Sequence, residues 1–236
     1  MECLKFNLSG ETAFFKNPEM NANHYYTYDS IHKVALIGML GAIIGLKGYT
    51  SKKELPEFYQ KLNKLKVSVV PSSETGTFPK KEHNFTNTTN FANKGVLQVY
   101  QTWLEQPNWD IYLLQNEVDN TTWEKLKDYI LNNKCVYIPY LGANDHIANI
   151  DNAELIEIEE TQNQTYINSF FIGDINSVDI SGIRMDEKYL SFFLPYALDE
   201  NLNFQYKQTR FVYTDMKIQG NIAGQYKYND LVLAFH

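Results

Sequence analysis

The chain has 236 residues, 44% of them hydrophobic, and a formal net charge of −7. That length and apolar content supply a core for one large domain or two small ones and exclude disorder throughout. No stretch approaches the ~18 consecutive apolar residues of a membrane span, so a soluble, cytoplasmic protein without a membrane partner is expected. Cys3 and Cys135 sit in apolar runs without metal-ligand spacing, which predicts two buried free thiols and a reducing compartment.

The charge is unevenly spread. Residues 1–110 hold 12 lysines against 10 acids, whereas 111–236 hold 9 lysines and arginines against 18 acids. Between Lys47 and Lys94 nine lysines face four acids, a local excess that can follow a phosphate backbone while the acidic half meets solvent or protein.

In chain order, Leu4, Phe6 and Leu8 alternate with polar residues and predict a half-buried strand that Gly10 bends or ends. Residues 16–29 read as an aromatic loop, followed by an apolar helix from Ile31 to Ile44 capped by Asp29 or Ser30. Gly38, Gly41 and Gly45 share one face of that helix, which requires close approach of another element, and Gly48 is the expected left-handed stop. The sheet is the commoner neighbour for such a face. A second helix begins with the capping box Ser51-Lys52-Lys53-Glu54 or, alternatively, at Pro56.

Val67 to Val70 is a strand stopped by Pro71, and residues 72–93 carry no period, which marks a projecting loop. Val96–Leu104 and Trp109–Gln115 read as a hairpin across the turn 105–108. Thr121-Thr122-Trp123-Glu124 opens a helix striped by Trp123, Leu126, Ile130 and Leu131, and Cys135–Ile138 follows as a short strand. The order β, α, β, β, α, β is that of ferredoxin-like and RNA-recognition units. Beyond Ile150 short strand-like runs separated by turns predict a β-rich part. The reading is thus α+β: a palm over 1–150 with a thumb loop or hairpin inserted at about 71–95, then a β-rich C-terminal part over 151–236.

Walker, dinucleotide-fingerprint, His-Glu-x-x-His, Gly-x-Ser-x-Gly and Cys-x-x-Cys motifs are all absent, and the five histidines never fall at ligand spacing, so no metal or cofactor is expected. What accumulates is the equipment of single-stranded RNA binding: aromatics to stack, amides to read base edges, lysines for phosphates. It is concentrated in His24-Tyr25-Tyr26-Thr27-Tyr28, just before a helix N-terminus, and in Lys80-Lys81-Glu82-His83-Asn84-Phe85-Thr86-Asn87-Thr88-Thr89-Asn90. A tyrosine-rich packing loop and a polar surface tip are the structural alternatives.

Three runs together resemble one family. They are Phe6-x-Leu8-x-Gly10 through Ala13-Phe14-Phe15-Lys16-Asn17-Pro18 and Tyr28-Asp29-Ser30 into the glycine-rich helix; Trp103-Leu104-x-x-Pro107-x-Trp109-x-Ile111-Tyr112-Leu113; and Tyr137-Ile138-Pro139-Tyr140-Leu141-Gly142-Ala143-Asn144-Asp145. In order and spacing, over about residues 4–150, the chain resembles the CRISPR-associated Cas-five family, closest in flavour to type I-B. The resemblance implies ferredoxin-like RNA-binding architecture of the repeat-associated mysterious protein superfamily. It also implies a non-catalytic subunit of Cascade in antiviral defence, gripping the 5′ handle of the guide RNA and contacting the backbone subunit and the large subunit. Target DNA is then met only through the complex. The expected RNA contacts are Lys16, Asn17, His24, Tyr25, Tyr26, Tyr28, Ser30, Lys33, Lys80, Lys81, His83, Asn84, Phe85, Asn87, Asn90, Tyr140, Gly142 and Asn144.

The chain departs from relatives in having Asp29-Ser30 where prolines often precede the helix, and in its two arginines, Arg184 and Arg210. One branch of the family is a metal-independent endoribonuclease that processes precursor CRISPR RNA with a tyrosine, lysine and histidine set. Its residue types occur here as His24, His83, Lys80 and Lys81, with Tyr25 and Tyr28, but without that branch's motif.

Overall fold

A computed structural model describes residues 1–19, 24–51, 54–88, 95–181, 184–199 and 205–236. The first half runs β1 (Glu2–Ser9), β2 (Thr12–Ala13), β3 (His24–Tyr25), α1 (Lys33–Ile43), α2 (Glu57–Leu62), β4 (Lys66–Pro71), β5 (Lys80–Asn87), β6 (Leu97–Glu105) and β7 (Asn108–Leu114). Then come α3 (Asn120–Leu131), β8 (Asn149–Glu157), β9 (Glu159–Thr161), β10 (Phe171–Ile172), β11 (Tyr189–Asp199), β12 (Gln205–Thr214), β13 (Gln225–Tyr228) and β14 (Leu231–Ala234).

The alternation in β1 sets up the core. This strand lies inside a four-stranded antiparallel sheet of order β4-β7-β1-β8. Leu4, Phe6, Leu8, Ile111 and Leu113 share one cluster with Ile37 and Leu40 of α1 and Trp123, Leu126 and Ile130 of α3. Cys3, Tyr112, Leu114 and Ile156 belong to the other face, which Tyr226 and Leu233 of the antiparallel β13–β14 hairpin cover. Helices therefore cover one face of the central strands, and strands cover part of the other. The expected division near residue 150 falls within β8, which pairs with β1 from Ser9↔Asn149 to Glu2↔Glu157. Two further three-stranded sheets, β10-β12-β11 and β14-β13-β9, account for the β-rich character after it. Between Tyr166 and Ile172, the strand is confined to Phe171–Ile172.

Several local expectations are corrected by tertiary contacts. His32, not Asp29 or Ser30, caps α1, its Nδ1 accepting the Ala35 N–H at 3.2 Å. Gly45, with φ +79°, is the left-handed stop in place of Gly48. Gly38 and Gly41 meet Phe58 of α2 and Gly45 meets Val136, none of them the sheet: a Cβ on Gly41 would run into Phe58 Cβ. The α2 helix starts after Pro56, the alternative start, while Lys52 and Lys53 of the Ser51 capping box lie outside the described residues; the next helix, α3, is capped by Asp119, whose carboxylate accepts the Thr122 N–H at 2.9 Å.

β6 and β7 form no hairpin. Gln106 takes φ +47° and Pro107 is buried, and this corner bends one long strand from the β5 ladder into the four-stranded sheet. β1 and β2 bend beside it, with Gly10 N–H donating to Pro107 O at 3.1 Å and Gln106 N–H to Glu11 O at 2.8 Å. The loop expected over 72–93 contains β5, paired antiparallel to β6 from Lys80↔Leu104 to Asn87↔Leu97; its residues beyond Thr88 lie outside the described part. Cys135–Ile138 is exposed and irregular, so Cys135 is not the buried thiol expected, whereas Cys3 is buried. β8 fills the sheet position that segment was expected to take.

Candidate nucleic-acid interface

The β5–β6 ladder is continuous in register, so its side chains alternate between two faces. On one lie Lys80, Asn84 and Tyr100; on the other Lys81, His83, Phe85, Gln101 and Trp103. β3 joins β6 in parallel register with His24 opposite Tyr100 and Tyr25 opposite Gln101, which divides the two residues between the same two faces. The exposed His24 ring stacks on Tyr100 at 4.5 Å and 8°. Lys80 is neutralised by Asp29, Nζ to Oδ1 2.8 Å, whereas Lys81 has no ion-pair partner among the described residues.

Tyr25 links the ladder to a groove. The Lys16 ammonium sits 3.8 Å from the Tyr25 ring centroid, a cation–π contact, and Lys16 also lines a groove of about 880 Å³ beside α1. Its wall is made by bare backbone at Gly38, Gly45 and Gly48, and by Phe14, Phe15, Phe58, Tyr49, Tyr137, Tyr140 and Tyr206, with Lys47 at the rim. Gly142 lines it too. With φ +89°, and with the Phe14 carbonyl where a Cβ would stand, this position requires glycine.

Eighteen residues were expected to contact RNA, and the structure brings most of them to these two regions. Lys16, Tyr140 and Gly142 line the groove, with exposed Asn144 two residues on. Tyr26 is exposed in the same aromatic segment, and Asn17 is half-buried, its Oδ1 accepting the Glu19 N–H at 3.0 Å. Asn84, Phe85 and Asn87 are exposed on β5, while Asn90 lies outside the described residues. Three of the eighteen are turned away from solvent. Tyr28 and Ser30 are only 3% and 1% exposed and sit beneath the surface. Lys33 turns inward, its Nζ donating to the His236 carbonyl at 3.0 Å, and burial lowers its pKa to about 8, with Lys64 and Lys66 adding to the shift.

The histidines divide in the same way. His32 is buried and His236 is half-buried, and desolvation lowers each to a pKa of about 3, with Lys33 adding to the shift at His236, so both are neutral. His83 lies on Trp103 at 3.9 Å and 19°, with Nε2 3.4 Å from Glu105 Oε1. His146 meets Trp103 at 86°, and its Nδ1 shares a 2.6 Å hydrogen bond with Thr12 Oγ1. Burial lowers the His146 pKa, opposed by Asp145 and assisted by His83. Residue-type reasoning assigned no role to Trp103, Tyr100 or His146; only their pairing across β6 draws them together. Among the described residues no three His, Cys, Asp or Glu side chains cluster as a metal site, and no helix is long and apolar enough to cross a membrane.

A family model described as CRISPR-associated protein (Cas_Cas5) matches residues 3–129, more than half of the chain. Among solved structures, one described as a CRISPR RNA-guided surveillance complex is similar at a TM-score of 0.52 and 11% identity, over 94% of this chain and 91% of that one. Another, a CRISPR protein from Archaeoglobus fulgidus, has a TM-score of 0.48 and 10% identity over 99% and 98% of the two chains. At such identities the likeness concerns the fold alone. No curated protein matches. On the extent of the family match, the chain belongs to the CRISPR-associated Cas-five family.

Proposed function

We propose that this protein is a non-catalytic subunit of a CRISPR RNA-guided surveillance complex of the Cascade kind, type I-B in character, working in the cytoplasm. In this reading it holds the 5′ handle of the guide RNA and joins the backbone subunits to the large subunit. Target DNA is met through the assembled complex. Family membership supports the assignment. The palm is read as a ferredoxin-like unit, which the order β4-β7-β1-β8 with antiparallel neighbours and two helices on one face supports. It extends through β8, the β5–β6 ladder is its thumb, and the acidic, β-rich remainder faces protein partners.

The observation that carries the reading is the position of Lys16. It lines the glycine- and aromatic-walled groove and also covers Tyr25, whose strand pairs with the thumb, so one path connects the two regions. Along that path lie a cation for phosphate, aromatic rings for bases, and glycine backbone that a nucleotide can approach closely. His24, Tyr25, Tyr26, Lys81, Asn84, Phe85, Asn87, Tyr140 and Asn144 are the further contacts we assign.

A processing nuclease would need its general base and its lysine to converge on one phosphate. Strand alternation puts His24 and Lys80 on one face of the ladder and His83 and Lys81 on the other; on the first face Lys80 is paired with Asp29 and His24 stacks on Tyr100, and on the second His83 lies flat on Trp103, engagements that favour the binding role. The test is incubation with cognate repeat RNA in chelator, comparing wild type with His24→Ala, His83→Ala and Lys80→Ala/Lys81→Ala. Intact RNA is expected throughout, with weakened binding in the double lysine variant. Cleavage at one position leaving a 2′,3′-cyclic phosphate, and lost with either histidine, would overturn the non-catalytic reading.

A further inference from the structure

Of the three tryptophans, Trp109 and Trp123 are core residues, and Trp103 alone stands half-buried in the β5–β6 ladder. Its indole is fixed in orientation. Nε1–H donates to Gln101 Oε1 at 2.8 Å, and the buried His146 ring abuts it at right angles, itself tied to Thr12. The contact with His83 is of another kind. The imidazole lies nearly parallel on the indole at 3.9 Å, as one aromatic ring stacks on another. Its contact with Glu105 Oε1, at 3.4 Å, is long for a hydrogen bond. β5 is exposed along most of its length, so the imidazole can leave the indole and enter water without stranding a buried polar atom.

We infer that Trp103 is a stacking platform for one unpaired nucleobase, and that His83 occupies the place of that base until RNA arrives. The inference rests on the RNA-binding reading above and assigns a specific subsite within it. The groups sharing this face favour a nucleotide over a protein aromatic ring. Exposed Lys81, directly across the ladder from Trp103, suits a phosphate, and the Gln101 amide suits a base edge. Phe85, also exposed, extends the stacking surface by one strand repeat. A base presents a larger π face than imidazole, so the exchange favours RNA, and the departing His83 remains beside the backbone it admits.

Trp109 and Trp123 also emit, but they are buried beyond contact with RNA, so a change in emission on RNA binding reports on Trp103. Titration with a short single-stranded RNA of repeat sequence should quench that emission, while an abasic strand of equal length should bind without quenching. Trp103→Leu should abolish the quench and weaken binding roughly 10-fold. His83→Ala should keep the quench and tighten binding about 2- to 5-fold, by the loss of a competing ring. A gel shift run in parallel separates the readings. RNA that binds without changing emission, or equally well to Trp103→Leu, overturns the platform and leaves RNA binding standing; no shift at all overturns both. Weaker RNA binding by His83→Ala, a variant that keeps Trp103 and needs no core change, overturns the place-holding role. Quenching by purified large subunit but not by RNA would make the platform a protein contact and also overturn the inference.

Discussion

Gly38→Ala and Gly41→Ala make the same chemical change one turn apart on α1, yet their effects on stability should have opposite signs. In a helix interior alanine is favoured over glycine by about 0.5–1 kcal/mol, because it loses less backbone entropy on folding. At Gly38 nothing opposes this: the added Cβ would lie 3.6 Å from Phe58 Cε2 and 3.7 Å from Cζ, ordinary contact. At Gly41 it would fall on Phe58 Cβ, with Cγ at 3.4 Å and Cα at 3.5 Å. No side-chain rotation moves a Cβ, so α2 must shift as a body, and such overpacking costs about 1–3 kcal/mol. After the propensity gain, Gly41→Ala should be destabilised by about 0.5–2 kcal/mol, and Gly38→Ala stabilised by about 0.5–1 kcal/mol. Urea denaturation followed by circular dichroism, with m held common, reads both values; each kcal/mol corresponds to roughly 2–4 °C in Tm at this chain length. Shifts in the same direction would refute the α1–α2 contact as the reason for the glycine face.

His32 predicts a pH dependence. Its Nδ1 is the acceptor that caps α1, so protonation there would break the cap, and burial holds its pKa near 3 against the ordinary 6.5. Between those values the unfolded chain binds a proton that the native one does not. Stability is therefore complete above about pH 6.5 and lost as pH falls toward 3, and His236 contributes with the same sign. His32→Asn keeps a capping acceptor and should flatten roughly half of the fall in urea midpoint between pH 6.5 and about 4.5; an unchanged slope would refute the assignment. The two adjacent lysines of β5 should also part company in RNA binding measured by anisotropy across salt concentrations. Lys81→Ala should reduce the log–log slope by about 0.7, one phosphate contact on a single strand. Lys80→Ala removes a cation already paired with Asp29 and should change it much less, so equal changes would show that the ion pair does not persist.

Much of the local structure was written in the sequence because its causes are local. The alternation of Leu4, Phe6 and Leu8, the uniformly apolar run through Ile37 and Leu40, and the stripe of Trp123, Leu126 and Ile130 each declare an element and its buried side. Of the runs that carry the family likeness, the first passes through β1 and α1, and the family match covers it together with the run Trp103–Leu113. Periodicity, however, says that a face is buried and not what covers it. Whether the glycines of α1 meet a sheet or Phe58, whether residues 105–108 reverse the chain or only bend it, and where β8 joins the sheet depend on partners distant in sequence. The candidate interface is of the same kind. Lys16 meeting Tyr25, His24 meeting Tyr100, and His83 and His146 converging on Trp103 are contacts between separate segments. Composition can supply such residue types, but the pairing of β3, β5 and β6 decides which of them share a face, because side chains alternate across a strand and register is set by nonlocal hydrogen bonds.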